Sequence, residues 1–327
     1  MPLTSISIWT LTDGKIGMVN QCLGLAEALL ELVGTGIIIE KTVKPVVPWK
    51  WLPPKLWPSF IDGAEAGNNL FEEPWPDVLI GCGRHAVGPA LSIKSRSAGK
   101  TFIIHVQHPR VKISRYDLIS VPKHDGLSGK NVIEVTGSMH RITPEKLVTA
   151  SLLLPGNINN LPQPRIAILI GGSTSGYKMN RQIITQLGRS LAAIHEENGA
   201  SFMVTTSRRT GADNSELLRN ALTNVPNIFW NGNGENPYFS FLAAADAIIV
   251  TCDSVNMISE ATASGKPVLI FKLQGQNKKM EAFHQSLYQK NIARPFKGFL
   301  EYWSYQPMHE PSRVAREVLR RIEAVKR

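Results

Sequence analysis

The chain has 327 residues, 43% of them apolar and 19% charged, with a formal net charge of +10. That length is too great for one ordinary core and suits two domains of about 150 residues each, in a soluble globular protein. No apolar run approaches the roughly 18–20 residues of a membrane span, and the first residues lack a basic-then-apolar leader pattern.

In chain order, Ile6–Leu11 reads as a strand, Gln21–Leu32 as a helix and Gly36–Val43 as a strand. Asp77–Gly81 is a strand feeding a helix near Pro89–Arg96, and Thr101–Val106, Asp117–Val121 and Asn131–Thr136 are further short apolar runs. Pro144–Pro164 holds one helix and then the stretch PGNINNLPQP, whose Pro, Gly and Asn content marks a linker. A second series follows: strand Arg165–Ile170, helix Asn180–Asn198, strand Ser201–Thr205, helix Asn214–Thr223, strand Asn227–Trp230 and a short helix Phe239–Ala245. Strand Ala247–Val250 then leads through a polar turn into a helix that carries Glu260 and closes at Gly265, before another apolar strand. Strands alternating with helical patterns imply parallel sheets covered on both faces. The expected organisation is a domain over 1–155, a second over 156–311 and a C-terminal helix over 312–327 that packs back on the first.

Cys22, Cys82 and Cys252 are few, odd in number and widely spaced. They fit neither a disulfide framework nor a zinc spacing, which favours a reducing, cytoplasmic setting. Between Arg84 and Lys130 there are nine Lys or Arg against Asp117 and Asp125 alone. Such an excess attracts nucleotide phosphates, nucleic acid or acidic lipid headgroups. Nucleic acid is the weaker choice, because no zinc finger, helix-turn-helix or RNP pattern accompanies the charge.

Open α/β sheets bind ligands at the loops after their strands, and here those loops are polar. Asp13-Gly14-Lys15 offers a base and a cation; it lacks the spacing of a P-loop. Gly81-Cys82-Gly83-Arg84-His85 follows the next strong strand, with His85 as a second base. His105-x-x-His108 has no Asp, Glu or Cys nearby to complete a metal set, so a hydrogen-bonded structural pair is expected. In the second half, Gly171-Gly172-Ser173 and Ser207-Arg208-Arg209 supply donors for a diphosphate. Asn233 and Asn236, in the loop from Gly232 to Tyr238, can read a base edge. Asp253, Ser254, Asn256, Ser259 and Glu260 lie at the start of the helix that follows strand Ala247–Val250, where an N-cap at Asp253 or Ser254 is the simpler account of part of the pattern. Four successive loops with such donors converge on a nucleotide.

The two-domain order, the Gly-Gly-Ser loop and Ser254…Glu260…Gly265-Lys266-Pro267 resemble the GT-B nucleotide-sugar glycosyltransferases. The C-terminal pattern is similar to the enzyme that adds N-acetylglucosamine to undecaprenyl-linked muramyl peptide. Closer still, DGKxGxxxQ, GCGRH, HVQHPR, TTSRRT, GENPY and CDSVNMISEA…GKPV, in order from Thr12 to Phe271, resemble the "elongated mitochondria" fission family and its bacterial relatives. The resemblance implies a GT-B-like α/β fold, two Rossmann-like parallel-sheet domains facing a cleft. It further implies Ser173 and Ser254 near a diphosphate, Gly232–Asn236 near a base and Glu260 near a ribose. The N-terminal glycosyltransferase loop usually carries a His-containing glycine motif, whereas here Asp13 and Lys15 occupy it.

The reading is metal-independent transfer from a nucleoside-diphosphate sugar, with no cofactor, since no DxD-like pair or ligand cluster is present. Asp13 is the expected base, with His85 second. The expected acceptor is at or near a membrane, lipid-linked or on an anionic surface, and the protein cytoplasmic or peripheral. The alternative class is a non-catalytic membrane-associated scaffold of the same fold, for which PWKWLPPKLWP (Trp49, Trp51, Trp57, Lys50, Lys55) is the interfacial loop. A nucleotide-sugar epimerase needs GxGxxG and Tyr-x-x-x-Lys, and neither occurs in the right setting.

Overall fold

A computed structural model describes residues 4–44, 51, 71–230 and 232–325. The chain forms two compact units, Met1–Arg141 with His309–Arg327, and Ile142–Met308. The C-terminal segment therefore belongs to unit 1, and unit 2 begins ahead of the PGNINNLPQP stretch, which itself contains a short helix, Gly156–Asn159.

In unit 1, strands β1 (Ile6–Thr12), β2 (Gly36–Thr42), β3 (Val78–Cys82), β4 (Phe102–Val106), β5 (Leu118–Pro122) and β6 (Val132–Val135) form one sheet in the order β2-β1-β3-β4-β5-β6. All its pairings are parallel. Alternation sorts the side chains to two faces. Ile6 and Ile8 join a cluster with α1 (Ile16–Val33) and the last helix of the chain, Glu310–Val325, while Trp9 and Leu11 join one with α2 (Arg84–Arg96). That last helix buries Val314, Ala315, Val318 and Ile322, a single stripe at helical spacing, in the cluster it shares with Cys22, Leu25 and Leu29 of α1.

One expectation needs correction here. The 18-residue helix α1 is long and apolar enough by length and composition to cross a membrane. Gln21 to Ala26 are buried in unit 1, as in a core helix.

In unit 2, α3 (Pro144–Leu152) and α4 (Gly156–Asn159) precede β7 (Arg165–Ile170). Then come β8 (Tyr177–Lys178), α5 (Arg181–Asn198), β9 (Ser201–Thr206), α6 (Ala212–Ala221), β10 (Asn227–Trp230) and α7 (Tyr238–Ala244). The unit closes with β11 (Ala247–Thr251), α8 (Val255–Ala263), β12 (Val268–Phe271), β13 (Gln274–Gly275), α9 (Lys278–Gln289) and β14 (Ala293–Pro295). Its six-stranded sheet runs β10-β9-β7-β11-β12-β14, all parallel, and β13 pairs with β8 in a separate ribbon. Counted along the unit this is the order 3-2-1-4-5-6 of doubly wound nucleotide-binding sheets, so the order reverses between β7 and β11. In unit 1 the reversal falls between β1 and β3. The chain therefore has two Rossmann-like domains, an α/β GT-B-like fold. The three cysteines are buried and free, as small core residues.

Candidate functional site

At the switch point of unit 1, the loops after β1 and β3 bring Asp13 and His85 together. Asp13 Oδ2 lies 2.6 Å from Lys15 Nζ and 3.4 Å from His85 Nδ1. Arg84 Nε donates to His85 Nε2 at 2.9 Å. Burial pushes the Asp13 carboxyl up, but the hydrogen bonds and charge of Lys15, with His85 beyond, hold it below its ordinary value. Burial and the Arg84 charge outweigh Asp13 and hold the His85 imidazole below its ordinary value, hence neutral near pH 7. Lys15, expected among the nucleotide ligands, is thus Asp13's partner on unit 1. Next to this loop, Gln107 donates to Gln21, which donates to the Gly17 carbonyl, tying the β4 loop to α1.

The histidines of HVQHPR do not pair. Burial drives the His105 imidazole down to about 3, and its ring lies 5.3 Å from that of Tyr116. His108 Nδ1 instead accepts from the Arg110 amide. Among the described residues no group of His, Cys, Asp or Glu is arranged to hold a metal ion.

At the switch point of unit 2, Asp253 organises three loops. Its carboxylate accepts from the Gly172 amide at 2.9 Å, from Thr251 Oγ1 at 2.7 Å and from Arg209 Nη1 at 2.9 Å. A Cβ on Gly171 would collide with this carboxylate, and one on Gly172 with the Arg209 backbone, so the glycine pair is required by close approach. The Gly171 amide donates to Thr251 Oγ1. Both glycine amides expected at a diphosphate are therefore spent on protein acceptors, and Asp253 braces the loop from inside.

The remaining residues divide. Ser173 accepts from Met179 N, and Ser207 donates to the Gly171 carbonyl, as does Thr210, the last residue of TTSRRT. Ser259 is 1% exposed and donates to the Val255 carbonyl inside the helix, so it does not reach the loop surface. Ser254 is the N-cap of α8, accepting from Met257 N, and Asn256 lies in the helix's first turn. Asn233 accepts Trp230 Nε1 on its carbonyl, and Asn236 Oδ1 accepts Tyr238 N. Arg208 is exposed and enters no ion pair among the described residues, in contrast to Arg209.

Glu260 sits partly buried on α8, and Tyr238 Oη donates to its Oε2 at 2.8 Å. Burial pushes the carboxyl up to about 7 against that hydrogen bond. Tyr238 was not a sequence-predicted ligand; its place in GENPY, opening α7, was the only local signal.

The sequence profile of the family described as Mitochondrial fission ELM1 matches residues 16–322. The chain belongs to this family. It is 30% identical over 319 residues to the Mitochondrial fission protein ELM1 of Arabidopsis thaliana, covering 89% of this chain and 70% of that one. Over 233 residues it is 24% identical to a UDP-N-acetylglucosamine–N-acetylmuramyl-(pentapeptide) pyrophosphoryl-undecaprenol N-acetylglucosamine transferase of Alkaliphilus metalliredigens (strain QYMF), covering 65% of this chain and 58% of the transferase. Among solved structures, the glycotransferase of kitacinnamycin aligns over 98% of this chain and 93% of its own, with a TM-score of 0.52 and 12% identity. Membership of the ELM1 family thus comes with a glycosyltransferase-like fold. Of the tryptophan loop, Trp49, Lys50, Lys55 and Trp57 lie outside the described residues; Trp51 is 71% exposed.

Proposed function

We propose that this ELM1-family chain binds a nucleoside-diphosphate sugar on unit 2 and transfers the sugar to an acceptor hydroxyl at or near a membrane. The observation that carries the reading is the unit 2 switch point. There, a glycine loop braced by Asp253 and the N-terminus of α8 follow the two strands between which the order reverses, where such sheets take nucleotides; the exposed Arg208 follows the neighbouring strand β9, and Glu260 lies on α8. The α8 N-terminus and the Arg208 guanidinium suit the diphosphate, and Glu260 suits a ribose. Sequence likeness to a UDP-N-acetylglucosamine-using transferase supports the same ligand class.

In this reading the acceptor oxygen attacks the anomeric carbon as the bond to the diphosphate breaks. The diphosphate leaves with the electron pair, and its charge is taken by Arg208 and helix dipole rather than by a metal. The acceptor proton goes to His85. Asp13, the base expected from sequence, is held too acidic by Lys15 to be a strong one, whereas a neutral imidazole has the nearer pKa. Asp13 then orients Nδ1–H and leaves the lone pair on Nε2, where the acceptor displaces Arg84.

The test is thermal unfolding with a panel of nucleoside-diphosphate sugars, followed by assay of nucleoside-diphosphate release with membrane extract as acceptor source. A donor at 100 times its Kd should stabilise by about 2.7 kcal/mol. Failure of every donor to raise the midpoint would overturn the reading.

A second reading, a membrane-associated scaffold, is favoured by the family's link to mitochondrial fission and by the exposed basic stretch, in which Lys94 alone of the nine cations is half-buried, paired with Asp117. Cosedimentation with phosphatidylserine vesicles, together with no release from any donor, would put it first.

A further inference from the structure

Glu260 is a carboxylate with an unusual set of partners. It lies partly buried on α8, no cation pairs with it among the described residues, and its one protein donor is the Tyr238 phenol on Oε2. Oε1 accepts from nothing among the described residues. In its ionised form the carboxyl is acceptor-only, so whatever then meets Oε1 must bring a donor. Phosphate oxygens do not; sugar hydroxyls do. An unheld glutamate would also have to be frozen on binding, at an entropic cost that a long side chain makes large. The Tyr238 phenol removes most of that freedom beforehand. Tyr238 is itself fixed, since it opens α7 and its amide is held by Asn236 Oδ1 at 3.1 Å.

We propose that Tyr238 is a positioning residue that holds the Glu260 carboxylate so that the nucleotide site selects an intact ribose diol. The inference rests on the nucleotide reading above and adds to it a residue and a selectivity. Tyr238 acts through Glu260; it is not assigned a contact with the ligand. With Oε2 clamped, Oε1 points one fixed acceptor at the sugar. Without the phenol the carboxylate rotates, and the hydroxyl gains less from meeting it.

The experiment is calorimetric titration of the full chain with ADP, GDP, CDP and UDP and with their 2′,3′-dideoxy counterparts, for the wild type, Tyr238→Phe and Glu260→Gln. In the wild type the nucleotide that binds best should do so at least about tenfold more tightly than its dideoxy form, the scale of a hydrogen bond to a charged group. Tyr238→Phe should bring that ratio below about threefold while keeping the order of preference among the four bases. Glu260→Gln should lower the ratio as far or further. A merely structural tyrosine would weaken ribo and dideoxy forms alike and leave the ratio unchanged. A wild-type ratio near one overturns the proposal even if the variants do not fold, and so does a wild-type ratio retained in Tyr238→Phe. Binding of none of the eight nucleotides by the wild type would instead overturn the nucleotide reading, and this inference with it.

Discussion

Arg209 Nη1 lies 2.9 Å from Asp253 Oδ2, an ion pair between a guanidinium that is 42% exposed and a side chain that is 0% exposed. The asymmetry sets what each partner is worth. Asp253 also takes the Gly172 amide and the Thr251 hydroxyl, so it is the hub of the glycine loop, and Arg209 is one of its three spokes.

Removing the hub strands buried donors, whereas removing the exposed spoke leaves two donors on the carboxylate. Asp253→Ala should therefore cost about 3 kcal/mol and Arg209→Ala about 1 kcal/mol. Urea unfolding followed on the unit 2 transition checks this. Equal costs would show that the charge pair, and not the amide and hydroxyl bonds, braces the loop.

Arg208 should behave differently from its neighbour. Its guanidinium is exposed and unpaired among the described residues, so Arg208→Gln should leave the unfolding midpoint unchanged. It should lower affinity for a nucleoside diphosphate far more than for the nucleoside, and the difference should shrink as salt is raised, because exposed charge is screened. Titration of both ligands at two ionic strengths measures this; equal loss for the two would remove Arg208 from the phosphate end.

Glu260 gives the protein a pH dependence whose sign is fixed by its shift. Its carboxyl is raised from 4.5 to about 7 in the folded chain, so between those values the folded state binds more protons than the unfolded. Stability present below pH 4.5 is then lost as pH rises toward 7, by an amount on the order of 3 kcal/mol. Glu260→Gln should flatten that slope and be the more stable form above pH 7. In the wild type, a ribose that favours the ionised carboxylate should release protons on binding near pH 6, seen as a buffer-dependent heat in calorimetry. A heat independent of buffer would contradict the ribose assignment.

Much of the fold was legible because it is written locally. Ile6 and Ile8 against Trp9 and Leu11 encode two buried faces, and the apolar runs at Arg165–Ile170 and Asn227–Trp230 match their strands end to end. Helix α9 was missed although Asn277 caps it and Met280, Phe283, His284 and Leu287 form its buried stripe; its other positions are polar enough to pass for a loop. The site was legible as a set of polar loops, not as roles. Asp253 reads locally as an N-cap, and only the fold shows that its carboxylate is taken by an amide 81 positions away. Likewise the Tyr238 to Glu260 bond spans 22 positions and has no periodic signature.

The last prediction separates the two groups at the unit 1 switch point. His85 is held below 6.5 by burial and by Arg84, against the raising effect of Asp13. Asp13→Asn removes a carboxylate that supports the imidazolium, so the His85 titration should move to still lower pH. Arg84→Gln removes an opposing charge and should move it up. Both shifts can be followed by NMR of the imidazole without any substrate. In an assay with the correct donor, the acid limb of kcat/KM should track the same shifts, since a base must be unprotonated to act. His85→Ala should lower turnover by about 100-fold or more, the scale of general-base catalysis, with donor binding on unit 2 retained. Asp13→Asn should cost less than His85→Ala if Asp13 only orients the ring. If it costs as much while the His85 titration stays in place, Asp13 itself takes the proton, and the roles of the two residues are reversed.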